Sequence, residues 1–230
     1  MHLWPKYVKG VRPLRKNWEI EPVELSRDQI NMATLFNEFM RLQNFSCGEG
    51  VFFDDVPSWI MARKKAYATF REKFRQDRLV DWEKLREDYK DFLYFRNNMS
   101  WTTLYRTGLK ALSNLEKLWK LLTFLQDESI DVQLRVRQGM QGKYYCYGIG
   151  RNILTAILHV FNPDKYGVWN SRTDDTLSMI QRKPRMRSDM GDNYTLVNDE
   201  LVQLKTELNT DMTTIDSLMW FISKKVKVIQ

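Results

Sequence analysis

An all-α fold is predicted for this chain on three observations. Apolar residues recur at helical spacing in one segment after another, and residues such as Ser26, Pro57 and Pro163 stand where helices start or stop. No segment alternates over a strand's length except the last residues, around Val226 and Val228. With 230 residues the chain is long enough for one large domain or two lobes, and neither a low-complexity tract nor an internal repeat interrupts it.

Taken in order, residues 1–24 hold three of the six prolines (Pro5, Pro13 and Pro22) and are expected to form an extended basic arm. Trp4, Tyr7 and Trp18 are interleaved with its basic residues, which suits packing over the body or contact with a nucleic-acid strand. The helical domain is expected over 25–230. Ser26 followed by Gln29 is a capping-box signature, and Ile30, Ala33, Phe36 and Met40 mark a helix to about Gln43, broken by Cys47-Gly48-Glu49-Gly50. Pro57 suits a first helical turn, with Ile60, Tyr67, Phe70 and Phe74 as the apolar stripe.

A further helix is predicted from about Asp81, with Trp82, Leu85, Tyr89 and Phe92 inward. Ser100 can cap the longest one, whose Trp101, Leu104, Leu112, Leu115, Trp119, Leu122 and Leu125 keep the period down to Gln126 and make it the expected central core. A short helix follows from Asp131 to about Gln138. After Asn170 come three more, marked by Leu177 and Ile180, then by Val197, Leu201, Leu204 and Leu208, and last by Ile215, Leu218 and Ile222.

Composition narrows the function classes. No run approaches a transmembrane span, and His2-Leu3-Trp4-Pro5-Lys6 lacks the apolar core of a signal peptide, so the chain is expected to be cytoplasmic (nucleoid-associated if bacterial) with no membrane partner. Cys47 and Cys146 with His2 and His159 cannot make a four-ligand thiolate centre, and no metal or cofactor is expected. The net charge of +7 favours polyanions, the more so because it is clustered. Lys6, Lys9, Arg12, Arg15 and Lys16 crowd the start; Arg135, Arg137, Lys143 and Arg151 come later, and Arg182, Lys183, Arg185 and Arg187 later still. Each group also reads as a solvated surface.

The stretch from Lys143 to Asn170 organises the rest. Gly148 and Gly150 sit directly before Ile153, Leu154, Ile157, Leu158 and Phe161, so a glycine turn opens a helix and leaves its first amides unpaired. Unpaired amides at a positive dipole end attract anions, and Arg151 adds formal charge beside them. On a basic chain the expected anion is a backbone phosphate. Lys143, Tyr147, Gly148, Gly150, Arg151 and Asn152 are therefore the expected DNA-binding residues, with double-stranded DNA as the partner. The helix stops at Asn162-Pro163, because the residue before a proline leaves the helical region. Tyr144, Tyr145 and Tyr147 suit stacking on a base or a place in core and rim, and His159 suits a satisfied helix position.

Over roughly residues 130–180 this arrangement resembles the helix-hairpin-helix DNA glycosylases of the endonuclease III and 8-oxoguanine glycosylase type. The hairpin would be Gly148-Ile149-Gly150 within a motif at about 131–162, and the family's small helix residues would be Thr155-Ala156. The resemblance implies a two-lobed helical domain with a lesion pocket between the lobes. It also implies a catalytic Asp about twenty positions after the second glycine, where this chain has Asn170, and a lyase Lys where it has Asn152. Such an enzyme stabilises the positive sugar that appears as a flipped base leaves. Asn170 can orient water but brings no charge; Asp174 or Asp175, one turn along, would supply a carboxylate; and Asn170 equally suits a helix cap, as the two acids suit a first helical turn. Three functions follow: a monofunctional DNA N-glycosylase-like enzyme, a non-catalytic double-stranded DNA binder of a repair, restriction or phage-defence assembly, or a helical protein-interaction module.

Overall fold

A computed structural model describes residues 20–48, 51–75, 79–97 and 103–229. Most of the expected N-terminal arm (1–19), the Ser100 cap and Trp101 lie outside the described residues. Within them the chain forms ten α-helices, two 3-10 turns and two small two-stranded sheets, so the protein is all-α in class. No described helix is long and apolar enough to cross a membrane.

Ser26 and Gln29 do form a reciprocal turn, with the Ser26 amide donating to Gln29 Oε1 at 2.9 Å, but it closes only a 3-10 turn over Arg27–Gln29. The α-helix proper, α1 (Met32–Met40), starts on Asn31. It is shorter than the pattern suggested because Gln43–Gly48 (β2) and Val51–Asp55 (β3) pair as an antiparallel hairpin with Phe45 opposite Phe53. Both rings are buried in an aromatic cluster with Phe39, Trp59 and Trp220. At the chain's ends β1 (Val23–Leu25) runs parallel to β4 (Val226–Val228), which bears out the strand reading of the last residues.

α2 (Val56–Lys73) begins on Asp55 with Pro57 in its first turn, and α3 (Trp82–Asn97) begins on Asp81. Leu85, Tyr89 and Phe92 face inward as expected, but Trp82 is 43% exposed. Helical side chains lean toward the N-terminus, so the ring of a first residue overhangs the helix end rather than the helix's own packed face. The long helix expected down to Gln126 is broken into α4 (Thr103–Gly108), a 3-10 turn at Leu109–Ser113 and α5 (Leu115–Gln126). Gly108 is a poor helix residue, and Asn114 turns its side chain onto the Lys117 amide at 2.9 Å, restarting the helix there.

The remaining helices are α6 (Val132–Gln141), α7 (Arg151–Phe161), α8 (Ser171–Met179), α9 (Met190–Glu207) and α10 (Met212–Lys225). The most enclosed helix is α7, not the one sequence put at the centre: every residue from Ile153 to Val160 is buried against α2, α4, α5 and α6. On it His159 is fully buried, its Nδ1 lying 2.6 Å from the Tyr166 carbonyl. A carbonyl can only accept, so Nδ1 carries the proton and Nε2 faces the Thr213 hydroxyl at 3.4 Å, as a satisfied structural histidine. Buried Arg63 of α2 ties the same region to α10 through Asp216 and Ser217.

Candidate nucleic-acid interface

Residues 142–150 join α6 to α7 by a compact turn. The Gln138 carbonyl accepts the amides of Gly142 and Tyr144, and Ile149 donates to the Cys146 carbonyl at 3.0 Å. Side chains then alternate: Lys143, Tyr145 and Tyr147 point to solvent, while Tyr144 stacks on Phe124 with centroids 3.8 Å apart and Cys146 is buried. Burial pushes the Cys146 thiol up to about 11, so it is a neutral packing group.

The two glycines do different work. Gly148 is buried at φ 90°, and a Cβ there would overlap the Thr107 carbonyl and come within 3.0 Å of the Ala111 amide nitrogen. Its backbone serves the turn, and among the expected contact residues it is one that is buried. Gly150 is exposed, with no atom within 4 Å of where its Cβ would stand. Its carbonyl accepts the amides of Ile153 and Leu154, whereas the amides of Gly150, Arg151 and Asn152 have no acceptor among the described residues.

That start is an exception among the α-helices whose cap residue is described. Helices α1, α2, α3, α5, α6, α8, α9 and α10 each begin on an Asp or Asn whose side-chain oxygen accepts an amide of the first turn: Asn31, Asp55, Asp81, Asn114, Asp131, Asn170, Asp189 and Asp211, at 2.7 to 3.1 Å. α7 alone among these begins on a glycine with no side-chain cap.

Around it, Arg151 lays its guanidinium over Trp169, 4.5 Å from the ring centre, and pairs with Asp174 at 3.0 Å. Asp174 also accepts the Trp169 indole N–H at 3.0 Å and lies 3.9 Å from Lys183. The formal charge that sequence put at the turn is thus balanced by a carboxylate. Lys110, which sequence reasoning missed, joins Tyr147: its Nζ donates to the phenol oxygen at 3.3 Å and sits 5.2 Å from the ring centre. Nothing local marks Lys110, since it reaches the turn only through the 3-10 segment that replaces the expected helix.

The loop between α7 and α8 is fixed from inside. The Thr155 hydroxyl donates to the Arg151 carbonyl at 2.9 Å and accepts the Trp169 amide at 3.0 Å; Asn198 accepts the Gly167 amide at 2.7 Å. Thr155 was expected only as a small residue, yet it holds the loop that presents Trp169 to Arg151. Asn170 then caps α8 through the Thr173 amide, Asp174 is the carboxylate engaged by Arg151, and Asp175 faces solvent. A groove of about 330 Å³ opens beside the turn, lined by Trp119, Lys120, Thr123, Phe124 and Tyr144 among others, and none of Asn170, Asp174 and Asp175 lines it.

Several residues of the expected basic clusters are spent internally. Arg135 is buried and donates to the Leu125 carbonyl and the Tyr166 phenol at 2.6 and 2.5 Å. Arg137 pairs with Asp189 at 2.6 Å, and Arg182 bridges Glu200 and Glu207 on α9. Lys143, Lys183, Arg185 and Arg187 remain exposed. Comparison with protein-family models, with curated proteins and with solved structures finds no match.

Proposed function

We propose that this chain binds double-stranded DNA by holding a backbone phosphate on the open amides of Gly150, Arg151 and Asn152. The observation that carries the reading is the uncapped, exposed start of α7 in a protein whose other α-helix starts are capped by Asp or Asn wherever the cap residue is itself described. Unpaired helix amides at the positive end of a dipole suit an oxyanion, and the turn leading into them exposes Lys143, Tyr145 and Tyr147, the last joined by Lys110, the basic and aromatic groups that sugar-phosphate contact uses. The resemblance to helix-hairpin-helix glycosylases points to the same partner.

Binding without base excision is the form of this function that the geometry favours. Stabilising an oxocarbenium sugar calls for a carboxylate facing it, and Asp174, the acid nearest the turn, is held between Arg151 and the Trp169 indole. The test is fluorescence anisotropy of a labelled duplex across a salt series, with base release scored in parallel on duplexes carrying varied lesions. Affinity is expected to fall by about 0.9 logarithmic units per phosphate engaged for each tenfold rise in salt. The double variant Lys110→Glu/Lys143→Glu, at two exposed sites, is expected to weaken binding at least tenfold. Affinity that ignores both salt and that variant would overturn the proposal, and release of any base would convert the binder into an enzyme.

A further inference from the structure

Residues 182–187 cross the surface without helix or strand, and their exposure alternates. Lys183, Arg185 and Arg187 point out; Pro184 and Met186 are half-buried, with Met186 packed against the core. Alternation of this kind is that of an extended chain, in which two residues advance about 6.6 Å. Successive phosphates along one nucleic-acid strand are separated by a comparable distance.

Both ends of the segment are fixed. At the near end the Arg182 amide donates to the Leu177 carbonyl at 2.8 Å while its guanidinium bridges Glu200 and Glu207. At the far end Asn193, which is buried, accepts the Arg187 amide at 2.6 Å and donates to the Arg187 carbonyl at 2.9 Å. The outward residues have little structural employment. Arg185 has no ion-pair partner among the described residues, Lys183 lies 3.9 Å from Asp174, and Arg187 lies 3.5 Å from Asp192 while staying well exposed. The segment also adjoins the turn, because the carboxylate that Lys183 approaches is the one paired with Arg151 at 3.0 Å.

We infer that 182–187 is a rail for the DNA backbone: the strand whose phosphate sits on the α7 amides continues along Lys183, Arg185 and Arg187, one phosphate to each. This rests on the DNA-binding reading and deepens it by fixing the path of the strand. A rail anchored at both ends is pre-organised, so little ordering accompanies contact. Its contacts go to phosphates, so they add affinity and register without reading sequence.

The experiment is duplex anisotropy on the full chain from 50 to 300 mM salt, comparing wild type with Lys183→Gln/Arg185→Gln/Arg187→Gln and, in parallel, Gly150→Asp. Three lost contacts should flatten the salt slope by about 2.7 and weaken binding more than tenfold at low salt. The double Lys183→Gln/Arg185→Gln, which leaves the Arg187 side chain and its contact with Asp192 intact, should flatten it by about 1.8. If the rail variants keep the wild-type slope while Gly150→Asp weakens binding, the rail is wrong and the α7 site stands. If they flatten the slope while Gly150→Asp changes nothing, the strand follows the rail but not the helix start. A wild type that binds no duplex overturns both.

Discussion

Replacing Gly150 with Asp should make the protein more stable and a worse ligand for DNA. The position is the N-cap of α7, at φ −93° and ψ −178°, an extended conformation open to any residue, with no atom within 4 Å of a new Cβ. The carboxylate would bond a first-turn amide as Asp55, Asp131, Asp189 and Asp211 do at their own helices, at 2.7 to 3.0 Å. Asp improves on Gly at an N-cap by a few tenths of a kcal/mol, and a negative charge at the dipole's positive end adds about 0.3–1 kcal/mol. A total of about 0.5–1 kcal/mol corresponds to a melting temperature about 1–4 °C higher for a chain of this size. The same carboxylate occupies the amides that would hold a phosphate and repels it, removing charge-assisted hydrogen bonds worth about 1.5–3 kcal/mol and so at least tenfold in affinity. Thermal unfolding and duplex anisotropy on one preparation check both halves. Higher stability with unchanged DNA affinity would show that the amides hold no phosphate.

Three further outcomes are expected. Gly148→Ala should cost about 2–4 kcal/mol in urea unfolding, because the residue sits at φ 90° and its new methyl meets the Thr107 carbonyl and the Ala111 amide, backbone that cannot yield; a loss under 1 kcal/mol would contradict that packing. Asp174→Asn should raise duplex affinity and steepen its salt dependence, since it removes the carboxylate that balances Arg151 at 3.0 Å and Lys183 at 3.9 Å, and unchanged binding would place both cations off the DNA path. For Cys146, burial raises the folded-state thiol from 9.0 to about 11, and the buried Tyr89 hydroxyl and exposed Lys117 are the titratable groups beside it. Because the folded value is the higher one, the stability from keeping it neutral is complete below pH 9 and is lost as pH rises toward 11. The loss amounts to about 1–3 kcal/mol relative to Cys146→Ala; parallel pH profiles for the two proteins would refute it.

What sequence made legible was mostly local. An Asp, Asn or Pro ahead of an apolar stripe marks a helix start through bonds to the next three residues, and Asn170, Asp131 and Pro57 do what their neighbours imply. The break at Gly108–Asn114 was hidden because the apolar period runs unbroken across it; only the Asn114 side chain, choosing the Lys117 amide over solvent, ends the pattern. The hairpin was hidden because Phe45 and Phe53 declare themselves only when paired across strands. At the candidate site the glycine pair was visible, but which glycine serves the fold depends on the Thr107 carbonyl, brought in by a segment read as straight helix. Charge misled most. Arg135 and Lys143 look alike in sequence, yet one ends on the Tyr166 phenol inside the protein and the other in water.

The exception at Gly150 separates two accounts of the α7 start. Open amides in water lose little, since solvent bonds them, so an uncapped helix needs no ligand to exist. But this chain has cap chemistry at eight other helices and forgoes it at an exposed position where nothing blocks a side chain. Sites that depart from a locally favourable rule without a packing reason are where function is expected to compete with stability. Gly150→Asn distinguishes the accounts without changing charge. If water is the only occupant, the variant gains a few tenths of a kcal/mol in stability and binds DNA as wild type does. If a phosphate is the occupant, the oxygen that stabilises the helix is the one that excludes the strand, and the gain in stability and the loss in affinity arrive together.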